Sequence, residues 1–105
     1  MILETNIDTF DSDVTDKKGV ALVFFGAPWD AHSTMLGMTL TKVDAERGDS
    51  ARILKVNVDE ELELTSRFKV QTIPRMLLFK DGLKMESLLG NQPKSVIDQA
   101  LDKYL

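Results

Sequence analysis

The sequence contains no cysteine among its 105 residues. Thiol–disulfide exchange needs a thiolate that attacks and a disulfide sulfur that is attacked. The chain supplies neither group, so its own side chains cannot carry out this exchange, and thiolate ligation of an iron–sulfur cluster is excluded for the same reason. Disulfides, the usual clue to an oxidising compartment, are also missing.

Long apolar runs and clusters of basic residues are absent as well. The longest apolar run, residues 20–26, is far too short to span a bilayer. Residues 1–6 lack a basic region followed by a long apolar stretch, so we expect no signal peptide and a cytoplasmic protein. The net charge is −4 with acids and bases mixed, which argues against a nucleic-acid surface. We therefore expect neither a membrane nor a nucleic acid as partner.

What is present fits an ordinary globular chain. Apolar residues make up 43% and charged residues 29% of the sequence. A chain of 105 residues is long enough to bury one core without staples, so we predict a single domain over residues 1–105 and a monomer.

Hydrophobic periodicity predicts the element order β-α-β-α-β-α-β-β-α. The apolar run 20–25 is typical of a strand buried on both faces in the centre of a sheet. The remaining strands are expected at residues 1–4, 52–58, 76–79 and 85–89, the last two joined by a turn at Asp81-Gly82. Helices are expected at about residues 6–18, from Asp30, from Asp59 and from Pro93. This pattern predicts an α/β fold: a mixed five-stranded sheet with helices on both faces.

Three stretches resemble the thioredoxin family in register over essentially the whole chain. Phe25-Gly26-Ala27-Pro28-Trp29 precedes a helix, as the family's active-site strand does, and the four residues Asp30-Ala31-His32-Ser33 stand in the place of Cys-x-x-Cys. The segment Ile73-Pro74-Arg75 through Gly82 is similar to the family's cis-proline segment, and Gly90 matches the glycine after the last strand. The resemblance implies a thioredoxin fold. His32 is locally similar to the Cys-Gly-His-Cys of protein disulfide isomerases.

The departures from the family pattern remove its chemistry. Asp30 and Ser33 replace the nucleophilic and resolving cysteines, and Phe24 stands where the family holds a buried aspartate that assists proton transfer. The lysine that usually neighbours this aspartate remains as Lys55, which either extends its amine to the surface or lies partly desolvated beneath a groove. The sequence therefore indicates a redox-inactive member, without a cofactor.

The sequence allows several interpretations of residues 30–33. Asp30 is a candidate helix N-cap, since a carboxylate there accepts otherwise unpaired backbone N–H groups. His32 is either an exposed remnant or a ligand or switch. Asp30, His32 and Ser33 together suggest a non-thiol enzyme or a metal site, but neighbours within one helical turn seldom form a triad, and a metal would lack further ligands. We expect no catalytic residue and no metal site here.

The resemblance implies a binding surface that does not depend on sulfur. In the family, the tryptophan before the active-site helix flanks a shallow groove, and the chain before the cis-proline pairs with a bound peptide by strand addition. The corresponding residues here are Trp29, Asp30, His32, Ile73, Pro74 and the backbone near Gly90. The primary hypothesis is thus a peptide- or protein-binding or chaperone-type module, and the alternative is the non-thiol enzyme.

Overall fold

A mixed five-stranded sheet, flanked by helices, forms the centre of the molecule. The computed structural model describes residues 2–105. The strands are β1 (Leu3–Glu4), β2 (Val20–Gly26), β3 (Ala51–Asn57), β4 (Arg75–Lys80) and β5 (Leu83–Leu89). The helices are α1 (Ala31–Arg47), α2 (Leu62–Arg67) and α3 (Lys94–Asp102), with a π-helical segment at Asp11–Thr15 and a 3₁₀ turn at Gly48–Ser50. The predicted fold class is confirmed.

The sheet has the strand order β1-β3-β2-β4-β5, so β2 lies at its centre. Strands β1 and β3 run parallel to their neighbours, whereas β4 is antiparallel to β2 and β5 is antiparallel to β4. Every residue of β2 is buried, as expected for a strand that is paired on both edges and covered on both faces. The register pairs Phe25 with Arg75, so the carboxyl end of β2 lies beside the start of β4.

Alternate residues of β2 belong to two separate apolar clusters. Val20, Leu22 and Phe24 pack with α1 and α3 on one face. Ala21, Val23 and Phe25 pack on the other face. The second face is covered by Phe10 and Val14 of the N-terminal segment, Leu64 of α2, and Phe68 and Val70. The alternation of side chains along a strand is what divides one apolar run between two layers.

The first predicted helix was wrong in type. Asn6 does accept hydrogen bonds from the N–H groups of Asp8 and Thr9 at 2.9 and 3.0 Å, as a cap would. The segment that follows is π-helical, and the N–H of Asp16 reaches the carbonyl of Asp11 at 2.7 Å. A segment of five residues is stabilised mainly by its buried side chains, Phe10 and Val14, and less by its own backbone hydrogen bonds. These bonds can therefore take the i→i+5 spacing of a π-helix in place of the i→i+4 spacing of an α-helix.

Two later boundaries also differ from the prediction. Helix α2 begins at Leu62 and not at Asp59, because residues 58–60 form a turn after β3 and Glu61 is the N-cap. Pro93 lies at the N-cap of α3 with an extended backbone, one residue before the helix, because its ψ of 152° is not helical. Residue 1 of the first predicted strand lies outside the described residues, and the strand itself is observed at Leu3–Glu4.

Charged side chains connect α3 to the end of α1, the helix that begins at residues 30–31. Arg47 donates to Asp98 at 3.1 Å and to Asp102 at 2.9 Å. Lys94 contacts Glu46 at 2.6 Å and Asp98 at 2.7 Å. Hydrogen bonds from Lys94, then from Arg47, lower the pKa of Asp98 below its ordinary value, although partial burial opposes this.

Replacing Asp98 by Asn is expected to destabilise the fold at pH 7 and to have less effect in acid. A carboxyl whose folded-state pKa is depressed stabilises the fold above its unfolded pKa of about 4 and loses this contribution as the pH falls through the folded value. Urea unfolding of both proteins at pH 7 and pH 3 measures the difference. An equal difference at both pH values would contradict this assignment.

Gly82 is the turn position that tolerates no side chain. Its φ is +83°, and an added Cβ would collide with the carbonyl oxygen of Thr15. Gly90 has nearly the same φ, +84°, but nothing lies within 4 Å of a Cβ there.

Gly82→Ala is therefore expected to cost more stability than Gly90→Ala. The Gly90 variant loses only the free energy needed to hold alanine in the left-handed conformation, about 1–2 kcal/mol. The Gly82 variant has this cost and must also displace the backbone of Thr15. Urea denaturation of both variants tests this, and equal losses would refute the steric argument.

Candidate functional site

The turn formed by residues 27–33 connects the central strand to α1 at the carboxyl end of β2. Ala27 is buried, whereas Pro28 and Trp29 are exposed. Asp30 has an extended backbone with φ −92° and ψ 119°, and α1 begins at Ala31. The chain therefore leaves the sheet and enters the helix within a few residues, which brings Trp29 and the start of α1 to this end of the sheet.

Asp30 is the N-cap of α1, as predicted. Its Oδ2 accepts a hydrogen bond from the Ser33 backbone N–H at 2.9 Å and another from the Ser33 hydroxyl at 2.8 Å. The Ser33 hydroxyl in turn accepts from the N–H of Ala27 at 3.3 Å. Ser33 is 4% exposed, and its buried hydroxyl is satisfied inside the turn both as a donor and as an acceptor.

This arrangement opposes a Ser–His hydrolase. A nucleophilic serine must give its hydrogen to a histidine base, whereas the Ser33 hydroxyl donates to Asp30. His32 is exposed on the helix surface, and its imidazole makes no hydrogen bond within residues 2–105. The three side chains are adjacent in sequence, but only Asp30 and Ser33 are in contact.

The same part of the chain gives no support to a metal centre. Within residues 2–105, no group of three or more histidine, aspartate and glutamate side chains is placed to hold a metal ion. Asp30 already uses one carboxylate oxygen on Ser33.

Trp29 is held by a partner that the sequence reading missed. Its indole Nε1 donates to Asp59 Oδ2 at 2.6 Å, while the side chain remains 70% exposed. The sequence pattern predicts a helix start at Asp59, but this residue lies in the turn after β3, where its own N–H donates to Asn57 Oδ1 at 3.0 Å. Both Trp29 and Asp59 follow the carboxyl ends of neighbouring parallel strands, and this is the signal that could have paired them.

Phe24 occupies the interior beneath the 27–33 turn. It is 6% exposed and belongs to the cluster that packs with α1. A Cβ added to Gly26 would lie 2.7 Å from the Phe24 ring and 2.8 Å from Ser33 Oγ, so the ring needs glycine at residue 26. The aromatic side chain thus fills space beside the Asp30–Ser33 pair without a titratable group.

Lys55 extends to the surface, which decides between the two alternatives left open for it. It pairs with Phe24 in the β2–β3 register, yet its side chain is 51% exposed. Its amine lies 3.8 Å from Glu4, whose side chain is 70% exposed. An ion pair so exposed contributes little to stability, about 0–1 kcal/mol.

The 71–74 loop enters β4 beside the 27–33 turn. The Ile73–Pro74 peptide bond is cis. Pro74 is buried and its carbonyl accepts from the Gly90 N–H at 2.8 Å, while Ile73 is half-buried. Because Phe25 pairs with Arg75 and Arg75 with Leu89, the sheet register brings residues 27–29, Ile73–Pro74 and Gly90 to the same end of the sheet.

The main chain of Ile73 is unpaired. Within residues 2–105, neither its N–H nor its carbonyl makes a hydrogen bond. Backbone N–H and carbonyl groups are strong hydrogen-bonding groups that normally find a partner. Ile73 therefore has one unpaired main-chain donor and one unpaired acceptor at the end of the sheet where Trp29 also lies.

The comparison with known proteins agrees with this geometry. The thioredoxin family model matches residues 1–103. The thioredoxin of Listeria monocytogenes is 33% identical over 105 residues, which cover 100% of both chains. The thioredoxin of Bacillus subtilis is 33% identical over 104 residues, covering 99% of this chain and 98% of that one. The thioredoxin of Staphylococcus aureus is 38% identical over 96 residues, covering 91% and 90%.

Asp30→Ala is expected to lower the free energy of unfolding by about 1 kcal/mol or more, since it removes the cap of α1 and leaves the buried Ser33 hydroxyl without its acceptor. Asp30→Asn keeps a side-chain oxygen that can accept from the Ser33 N–H, so it should lose less. Urea unfolding of the three proteins measures this order. An Asp30→Ala variant as stable as the parent would contradict the capping role.

Proposed function

The chain belongs to the thioredoxin family, and we propose that it is a redox-inactive member that binds extended peptide or protein segments. The binding surface comprises Trp29, the exposed ends of Asp30 and His32, the 71–74 loop with Ile73 and Pro74, and the backbone near Gly90. The family's thiol chemistry cannot run here because the chain has no cysteine. What remains of the site would act by contact, as a binding or chaperone-type module and not as an enzyme.

The unpaired main chain of Ile73 is the observation that carries the proposal. An extended peptide laid along the 71–74 loop could donate to its carbonyl and accept from its N–H, as in the addition of a strand to a sheet. Such bonds involve only main-chain groups, so they need no sulfur. Main-chain bonds of this kind can bind extended segments of varied sequence, as a chaperone-type module does.

Trp29 supports the proposal with apolar area that is already oriented. The indole is 70% exposed and its Nε1 is held by Asp59 at 2.6 Å. A side chain fixed before binding loses less conformational entropy when a partner arrives. Exposed tryptophans are also frequent among the residues that dominate binding energy at interfaces.

Residues 30–33 would contribute shape, not chemistry. Asp30 and Ser33 satisfy each other, which fixes the start of α1. His32 stays exposed three residues after Trp29 and is free to touch a partner. Within residues 2–105 no helix is both long and apolar enough to cross a membrane. The cytoplasmic location, the monomeric state and the absence of a nucleic-acid partner stay predictions from the sequence.

Trp29→Ala is expected to weaken peptide binding about tenfold or more, as for a central interface tryptophan. The measurement is an NMR titration of the labelled protein with a short peptide of alternating valine and threonine. Leu83→Ala is the matched control, because Leu83 is 69% exposed but begins β5 at the hairpin, at the end of the sheet away from Pro74. Shifts that avoid Trp29 and Ile73, or equal losses in both variants, would count against the surface.

The same peptide with N-methyl groups on alternate residues separates strand addition from side-chain contact. Alternate N–H groups of an extended peptide point to the same edge, so two peptides are compared, one methylated on the valines and one on the threonines, and binding should be lost in at least one of them if Ile73 pairs with the peptide backbone. Unchanged affinity would refute the pairing.

An insulin-reduction assay with this protein should stay at background, and catalytic reduction by the pure chain would refute redox inactivity.

A further inference from the structure

A cavity of about 420 Å³ lies on the side of the 27–33 turn that faces β1 and β3. It is bounded by β1, the ends of β2 and β3, and the first half of α1. Trp29, Ile73, Pro74 and Gly90 do not line it, so it is separate from the peptide surface proposed above. Its volume falls in the range of small-molecule sites, about 300–1,000 Å³.

Two glycines and one aromatic ring explain why the cavity exists. Gly26 and Gly37 both line it, and neither contributes a side chain. The Phe24 ring bounds the same space, since a Cβ added to Gly37 would lie 3.8 Å from it. Strand β1 pairs only with Leu54 and Lys55, so it does not extend over the end of β3.

The lining of the cavity has an apolar wall and a polar rim, and the buried Ser33 side chain also belongs to the lining. Ile2, Phe24, Ala27, Met38 and Val56 supply the apolar wall. Glu4, Thr34, Thr41, Lys55 and Asn57 supply the polar rim. A ligand that fits both parts has an apolar body and one polar head.

The rim determines which head is accepted. The hydroxyls of Thr34 and Thr41 donate to the carbonyls of Asp30 and Gly37, at 3.3 and 3.0 Å, so they have no hydrogen left to give a ligand. The remaining donors are the Lys55 amine and the Asn57 amide N–H₂. Asn57 uses only its oxygen, on the N–H of Asp59, and its nitrogen has no partner within residues 2–105.

Glu4 does not block an anion at Lys55. The two groups lie 3.8 Å apart and are 70% and 51% exposed, so the pair is loose and can be exchanged for a ligand carboxylate. Lys55 is also the one cation among the residues that line the described cavity.

We propose that this cavity binds small monocarboxylic acids with an apolar, arylalkyl body. The carboxylate accepts from the Lys55 amine and the Asn57 amide, and the body lies against Phe24 and Val56. This site does not depend on the peptide-binding function, and either one can fail without the other.

The test compares three ligands that share one body in NMR titrations of the full chain. The probes are 3-phenylpropanoate, 3-phenylpropanol and 3-phenylpropylamine. We expect saturable shifts at Gly26, Gly37 and Asn57 with 3-phenylpropanoate, with a dissociation constant on the order of 1 mM, and weaker binding of the other two. The absence of saturable shifts at these residues, or binding of the amine or alcohol as tight as that of the acid, would overturn the proposal.

Charge variants examine the head group separately from the apolar body. Lys55→Met should weaken 3-phenylpropanoate up to about fivefold, as for a half-exposed ion pair, and leave 3-phenylpropanol unchanged. Glu4→Gln should strengthen 3-phenylpropanoate, because it removes the competing carboxylate. Lys84→Met, an exposed lysine on β5, is the matched control and should have no effect. An unchanged affinity of Lys55→Met for the acid would refute the assignment.

A filled cavity provides an independent check. Gly37→Leu places a side chain in the space and raises helix propensity, so the variant should fold and lose binding of both the acid and the alcohol. Retained binding in the folded variant would place the ligand elsewhere and overturn the proposal. If the leucine prevents folding, the Lys55 and Glu4 variants still decide the question.

Discussion

The complete burial of β2 is the constraint on which the rest of the structure depends. The strand is paired with β3 on one edge and with β4 on the other, and each face is covered by an apolar cluster. Because β4 runs antiparallel to β2, the carboxyl end of β2 lies beside the start of β4. That single placement brings the 27–33 turn next to Ile73 and Pro74, and it positions α1 over the sheet.

The turn that stands in place of the family's Cys-x-x-Cys has polar groups that satisfy one another. In place of two sulfur atoms, Asp30 accepts two hydrogen bonds from Ser33, and Ser33 accepts one from Ala27. These bonds involve a buried hydroxyl and the positive end of a helix, where an acceptor with negative charge is favoured. The pair stabilises the geometry of the turn.

The interior beneath the turn is filled by an apolar side chain, Phe24. Phe24 contributes apolar volume where the related family holds an acid, and burying an unpaired charge there would be costly. Its ring requires Gly26, and together with Gly37 this leaves a cavity that opens toward Lys55 and Asn57. The structure thus has two separate surfaces: an unpaired main-chain edge at the same end of the sheet as an oriented indole, and a cavity with an apolar wall and a polar rim that includes Lys55.

The sequence by itself determined the fold class, the element order and the Asp30 cap, because each depends on local periodicity or on contacts within one helical turn. It also excluded thiol chemistry, since that depends on composition alone. It misjudged the type of the first helix and the start of α2, where buried anchors and turn contacts override local pattern. The bond from Trp29 to Asp59, the unpaired backbone of Ile73 and the cavity behind Gly26 and Gly37 were decided only by tertiary structure. The bond and the cavity join residues distant along the chain, which only the strand register places together, and whether the Ile73 backbone finds a partner depends on which strands lie beside it.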